Sequence, residues 1–261
     1  MNRFIFRVLL SLFILFGVSC ASQQGVNRNG ATGCYDIARI HGHVCNGFTC
    51  ISEVDTMVQR HLLSHGKRLL QIYLIRHAKP NVKKRSFYFS SGLNEYMHSY
   101  DEAPIVAFDT SIISVNLRKG HIIYCSNLRR SQETAYKIFG EDYHLVADTI
   151  FREFENKAIS RRGIIPLPVS LWQGMNRVGW FLGVNDRGIE NFGEALQRSR
   201  EAAENLIKVA SIDETAVLVA HGMMNHFIAR ALKKRGWHIV LQRGNINLGA
   251  TILVKEVAID K

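Results

Sequence analysis

The chain alternates short apolar runs with longer amphipathic stretches from about residue 69 onward. Four of these runs are rich in branched residues and are typical of buried strands: 69–75, 121–125, 215–220 and 250–254. Three stretches carry apolar or small residues at helical spacing, at 127–139, 192–210 and 224–235. This alternation predicts an α/β fold, a three-layer α/β/α sandwich with a mostly parallel sheet and helices on both faces.

The first residues follow a different pattern. Basic residues precede an apolar run at 8–18, which is shorter than the roughly 20 residues of a membrane span. We therefore predict a signal peptide over 1–19. The Ser19-Cys20 junction resembles a bacterial lipoprotein signal, although Gly17 stands where that pattern usually has Leu. We expect an exported lipoprotein, attached to the membrane through lipid on Cys20 and facing the periplasm or exterior. An ordinary signal peptide and an uncleaved anchor are the alternatives.

Residues 20–68 are expected to form a tether and an N-terminal extension, since their first part is small and polar. The extension contains a run with helical spacing at 54–63. The chain has 5 cysteines. If Cys20 is lipidated, four cysteines remain: Cys34, Cys45, Cys50 and Cys125. Four cysteines can form disulfides in three different pairings. The His-x-His-x-Cys-x4-Cys spacing of 41–50 is not a standard zinc arrangement, so disulfides, free thiols and a metal site stay open.

Charge indicates the class of partner. The sequence has 33 Lys+Arg against 22 Asp+Glu, a formal net charge of +11. A surplus of this size favours anionic partners. The basic residues are spread along the chain without an arginine-rich tail, so we expect a small phosphorylated substrate and no nucleic acid.

Titratable side chains follow three of the predicted strands. Arg76-His77 comes after the first, Ser126 and Arg130 after the second, and His221 after the third. Parallel strands end at one edge of a sheet, where ligands bind, so these side chains should converge. Two arginines and two histidines without obvious acidic compensation would suit a phosphoryl dianion, which carries about −1.5 to −2 charges.

These motifs resemble the histidine phosphatase superfamily, which includes the phosphoglycerate mutase-like enzymes. The resemblance rests on Arg76-His77, on Ser126-x-x-x-Arg130-x-x-x-Thr134 and on His221-Gly222, and it covers about residues 69–257. The family's first motif usually has Gly and then an acidic residue after the histidine, where this chain has Ala78 and Lys79. The asparagine often found a few residues later has no clear match. The departures put the mutase branch in doubt and favour the phosphatase branch.

The resemblance implies a mechanism. His77 attacks phosphorus and becomes a phosphohistidine, while Arg76, Arg130 and His221 hold the non-bridging oxygens. The nitrogen of His77 that does not attack should donate to a backbone carbonyl or a similar acceptor. The resemblance implies neither a metal nor another cofactor.

Two further positions complete the expected catalytic set. The family usually has an apolar residue, any residue and then the glutamate that serves as general acid, and Phe151-x-Glu153 fits this order. Glu155 is the alternative. The four-residue step from Ser126 in the family motif favours Arg130, and Arg129 would then lie about 100° further around the helix. Ser126 and Thr134 are expected to act as helix cap and packing contact.

Residues 69–261 are predicted to form the phosphatase domain, with insertions at 79–110 and 156–190 that roof the pocket. Their aromatic residues could stack on a substrate or pack within the roof. The predicted function is an exported phosphohydrolase of phosphate monoesters. The alternatives are a phosphoglycerate mutase-like phosphotransferase and a non-catalytic binder of phosphorylated ligands.

Overall fold

The computed structural model describes residues 66–113, 115, 117–155, 166–183 and 190–259. The predicted signal peptide, Cys20, the tether and the predicted helix at 54–63 lie outside the described residues. So do Cys34, Cys45 and Cys50. The predicted domain boundary at residue 69 therefore stays a prediction.

Six strands form one mixed sheet in the order β3-β2-β4-β1-β6-β5. They are β1 (Lys67–Arg76), β2 (Ile122–Ser126), β3 (His144–Asp148), β4 (Thr215–Ala220), β5 (His238–Gln242) and β6 (Ala250–Ala258). The first four are parallel neighbours, whereas β6 pairs antiparallel with both β1 and β5. The predicted mostly parallel sheet is confirmed.

Helices cover both faces of this sheet. Five are described: α1 (Ser90–Glu102), α2 (Arg129–Phe139), α3 (Val169–Phe181), α4 (Phe192–Asp213) and α5 (Gly222–Lys233). Successive side chains of a strand point to opposite faces. Accordingly, Ile72 and Leu74 of β1 pack with α4 and α5, and Tyr73 and Ile75 pack on the side of α2. The predicted three-layer α/β/α architecture is confirmed.

Two strands escaped sequence detection because they lie at the two ends of the sheet. The edge strands β3 and β5 are mostly exposed or half-buried and so lack a continuous apolar run. The strands buried on both faces, in contrast, read as apolar runs. The long strands β1 and β6 pair over nine positions, from Lys67–Ala258 to Ile75–Ala250.

The two insertions contact each other through a small core of their own. Tyr88 forms an antiparallel bridge with Leu167, and the indole Nε1 of Trp172 donates to the carbonyl of Tyr88 at 2.8 Å. Tyr96 is buried in the same cluster. Tyr96 and Trp172 therefore pack within the roof, as one of the two alternatives predicted. No helix among the described residues is long and apolar enough to span a membrane.

Candidate active site

The ends of β1 and β4 lie side by side, and they bring two histidines together. Arg76 of β1 is in register with Ala220 of β4, and the His77 amide donates to the Ala220 carbonyl at 2.9 Å. The rings of His77 and His221 then lie 5.0 Å apart, measured between centroids. The predicted convergence at the C-terminal edge of the parallel strands is therefore observed.

The hydrogen bonds of His77 define which nitrogen carries its proton. Nδ1 lies 2.7 Å from the carbonyl oxygen of Ala78, which only accepts, so Nδ1 is the donor. Nε2 is then unprotonated, and it accepts from Nε of Arg130 at 3.2 Å. Burial, and then the charges of Arg130 and Arg76, lower the pKa of His77 to about 3. His77 is therefore a neutral imidazole near pH 7, with Nε2 facing the cations.

Arg130 points into the site from the first turn of α2 and is almost completely buried. Its Nη1 forms an ion pair with Asp101 of α1 at 2.7 Å. The expectation of a pocket without acidic compensation was wrong, because the insertion that carries α1 supplies this carboxylate. Arg129 is exposed and pairs with Glu133 at 2.6 Å, so Arg130, and not Arg129, faces His77 as predicted.

Arg76 is held by the loop that precedes β6, a part of the site that sequence reasoning missed. Nη1 of Arg76 donates to the carbonyl of Asn245, and the side-chain amide of Asn247 donates to the His77 carbonyl at 3.0 Å. The backbone amide of Leu248 donates to the Arg76 carbonyl at 3.0 Å. Gly222 lies against the guanidinium, because a Cβ there would stand 3.3 Å from Cζ of Arg76.

His221 is completely buried, and its Nε2 lies 2.8 Å from Oγ of Ser126. Burial and then Arg130 and His77 hold the pKa of His221 well below its ordinary value. The assignment of Ser126 as a helix cap was wrong: α2 has Leu128 in the N-cap position, and the Leu128 amide donates to Ser126 Oγ at 3.3 Å. Since Oγ accepts there, its own proton is available for Nε2, which would leave the proton of His221 on Nδ1.

Thr134 ties α2 to the strand end. Its hydroxyl donates to the Arg130 carbonyl at 2.6 Å and accepts from the Ala78 amide at 2.9 Å. This contact fixes the segment after His77 against the helix that carries Arg130.

The side chain of Glu153 lies at the N-terminus of α5, the helix that begins immediately after His221. Its carboxylate accepts from the backbone amides of Met224 at 3.1 Å, Met223 at 3.3 Å and Phe154 at 3.1 Å. Two of these amides belong to the first turn of a helix, where a carboxylate is favoured. Glu155 lies two residues further on, and its carbonyl accepts from Nη1 of Arg177 at 3.3 Å. The structure therefore places Glu153 beside the His221 helix.

Two buried nitrogens of this pocket, Nε of Arg76 and Nδ1 of His221, have no hydrogen-bond partner among the described residues. Buried polar groups are almost always hydrogen-bonded, so such atoms point to a ligand. Nε of Arg76 is a donor, and Nδ1 of His221 is a donor in the tautomer in which its Nε2 accepts from Ser126 Oγ. An oxyanion is the ligand that would satisfy them.

Comparison with known proteins identifies the family. The sequence profile of the Histidine phosphatase superfamily (branch 1) matches residues 72–255. The chain belongs to this superfamily. No curated protein sequence matches it. The residues that converge in this histidine phosphatase superfamily member include those that carried the resemblance in the sequence.

Several solved structures are similar to this superfamily member at low sequence identity. A mycobacterial glucosyl-3-phosphoglycerate phosphatase is 20% identical, covers 72% of this chain and 91% of its own, and has a TM-score of 0.41. A phosphoglycerate mutase from Bacillus anthracis str. Sterne is 14% identical, with coverages of 75% and 93% and a TM-score of 0.47. A phosphoserine phosphatase mutant from Entamoeba histolytica, in complex with phosphoserine, is 17% identical. The match covers 70% of this chain and 89% of that protein, with a TM-score of 0.38.

Two further features of the described part of this histidine phosphatase superfamily member concern metal binding and the free thiol. The described residues contain no group of three His, Cys, Asp or Glu side chains that could hold a metal ion. Cys125 of β2 is a free, buried thiol, and burial raises its pKa to about 11. The thiolate form of Cys125 is therefore suppressed, which leaves it as a core residue.

Proposed function

We propose that the protein is an exported phosphohydrolase that cleaves phosphate monoesters through a phosphohistidine on Nε2 of His77. The observation that supports this most is the state of the His77 ring. Nδ1 donates to the Ala78 carbonyl, and the lone pair of Nε2 faces a buried guanidinium. A neutral nitrogen nucleophile next to fixed cations is what attack on a phosphoryl dianion requires.

In the first step, Nε2 of His77 attacks phosphorus while the bond from phosphorus to the ester oxygen breaks. The leaving oxygen takes a proton from the protonated form of Glu153, and the carboxylate that results accepts hydrogen bonds from the amides of Met223 and Met224. The phosphoryl group replaces Nε of Arg130 as the neighbour of Nε2. Nε of Arg76 and Nδ1 of His221 donate to its oxygens and so gain the partners that they lack among the described residues.

In the second step, the Glu153 carboxylate accepts a proton from water, and the water oxygen attacks phosphorus. The bond between phosphorus and Nε2 breaks, inorganic phosphate leaves, and both His77 and Glu153 return to their starting states. The backbone amides of Met223 and Met224 hold the Glu153 carboxylate in place between the two steps.

A phosphatase is favoured over a mutase by two features of the sequence. Ala78 and Lys79 depart from the family's most familiar first motif, which puts an assignment to the mutase branch in doubt. The predicted signal peptide would also take the protein away from the cytoplasmic substrates and priming cofactor of a mutase.

Hydrolysis of p-nitrophenyl phosphate tests the enzymatic proposal. The wild type should hydrolyse it, His77→Ala should lose the activity, and His98→Ala, an exposed histidine of α1, should keep it. A wild type that is inactive across pH ~4–8 would count against the proposal. Transfer of phosphate to an added acceptor in preference to water would favour the mutase alternative. A panel of phosphorylated metabolites would then define the substrate.

Export and anchoring need a separate experiment. A lipid on Cys20 predicts that cells fed a radiolabelled fatty acid incorporate the label into the wild type and not into Cys20→Ser. A membrane-attached Cys20→Ser variant without label would instead favour an uncleaved anchor.

A further inference from the structure

The guanidinium of Arg130 is held from two sides. Nε donates to Nε2 of His77 at 3.2 Å, and Nη1 donates to Oδ1 of Asp101 at 2.7 Å. In the planar guanidinium group, Nε and Nη2 lie on one edge, and Nη1 lies off that edge. Asp101 therefore binds Nη1, and the Nε–Nη2 edge of the guanidinium remains turned toward His77.

The helix positions of the two partners explain why they pair. Asp101 is in the last turn of α1, at the negative end of the helix dipole, which disfavours a negative charge. Arg130 is in the first turn of α2, at the positive end of the helix dipole, which disfavours a positive charge. Neither charge stabilises its own helix, and the ion pair compensates both.

The same helix makes a second contact with the guanidinium. The ring of Tyr100 lies 5.1 Å from Cζ of Arg130, within the range of a cation–π interaction. Arg130 is 4% exposed at its side chain, and Asp101 is 38% exposed. The insertion thus reaches the buried arginine with one ionic and one aromatic contact.

We propose that Asp101 is a positioning residue for phosphoryl transfer, which orients Arg130 so that its Nε–Nη2 edge receives the transferring phosphoryl group. This inference rests on the proposed function. The roof insertion then completes the catalytic arrangement as well as covering it. Asp101 and the phosphoryl group bind different atoms of the guanidinium, so the carboxylate does not occupy the substrate's place. The opposite hypothesis is that Asp101 competes with the phosphoryl group for Arg130.

Kinetics of Asp101 variants separate the two hypotheses. Misorientation of a catalytic group by about 1 Å can cost on the order of 100-fold in rate, so kcat of Asp101→Ala should fall about 10- to 100-fold. KM should change by less than about threefold, since an interaction that matters in the transition state is lost. Asp101→Glu should recover part of the rate. Glu102→Gln removes the same charge one residue further along α1 and should leave kcat unchanged.

Ligand binding provides a readout without turnover. Orthovanadate mimics the five-coordinate transition state, and its affinity, measured by calorimetry, should fall in Asp101→Ala by about the same factor as kcat. The affinity for inorganic phosphate should fall less. Thermal unfolding midpoints of the variants confirm that the protein remains folded.

The results that would overturn the inference are distinct from those against the proposed function. An unchanged kcat in Asp101→Ala, or a lower KM with tighter phosphate binding, would show that Asp101 does not position Arg130 or that it competes with substrate. An inactive wild type that still binds vanadate more tightly than Asp101→Ala would refute hydrolysis while keeping the positioning role.

Discussion

Lowering the pH from 7 to 5 should destabilise the fold, because His77 is buried as a neutral imidazole. The pKa of His77 is about 3 in the folded protein, against 6.5 for an unperturbed histidine. Between pH 6.5 and about pH 3 the histidine is therefore protonated in the unfolded chain and neutral in the folded protein. The free energy of unfolding falls as the pH drops below 6.5. Linkage then gives a loss of about 2 kcal/mol from His77 between pH 7 and pH 5. His221, whose pKa is also lowered, adds a loss of the same sign.

Urea denaturation at pH 7, 6 and 5 measures this effect as the free energy of unfolding. His77→Gln removes the titrating group, so between pH 7 and pH 5 it should lose about 2 kcal/mol less than the wild type. His98→Gln, at an exposed position, should follow the wild type. Each variant is compared with itself at two pH values, so any constant cost of the substitution cancels. Equal pH dependence in the wild type and His77→Gln would refute the neutral, buried state of His77.

Three further substitutions test the geometry of the site. Arg130→Lys should lower kcat/KM about 100-fold because lysine cannot present a planar fork, whereas Arg129→Lys should change it less than about threefold; similar losses would contradict the placement of Arg130. With phenyl phosphate, a substrate with a poor leaving group, Glu153→Gln should lower kcat by about 100-fold or more, and Glu155→Gln should lower it by less than about threefold. The reverse order would identify Glu155 as the general acid. Gly249→Ala should lower the free energy of unfolding by more than ~2 kcal/mol in thermal denaturation, because its Cβ would stand 1.8 Å from a backbone oxygen of the same loop; near wild-type stability would contradict the conformation of the loop before β6.

Sequence reasoning located the part of the site that depends on parallel strands. The apolar runs identify β1, β2 and β4, and the rule that parallel strands end at one edge brings His77, Arg130 and His221 together. The four-residue step from Ser126 in the motif that carries the family resemblance was sufficient to choose Arg130 over Arg129. These inferences need only the order of the elements and the spacing of that motif.

The missed contacts depend on packing that no local pattern encodes. Asp101 lies 29 residues before Arg130 in the chain, and it reaches Arg130 because the insertion folds back over the strand ends. Asn247 reaches His77 because β6 runs antiparallel to β1, so that the loop before β6 meets the end of β1. Ser126 resembled a helix cap in sequence, but α2 begins later, and its hydroxyl lies against His221.

Trapping of the phosphoenzyme shows whether His77 is the nucleophile. The protein is mixed with p-nitrophenyl phosphate, quenched in alkali, where phosphohistidine survives, and analysed as peptides by mass spectrometry. We expect one phosphoryl group on the peptide that contains His77. It should accumulate in Glu153→Gln, because p-nitrophenolate leaves without a general acid but water still needs the base. Steady hydrolysis without this adduct, or a phosphoryl group on another residue, would contradict His77 as the nucleophile.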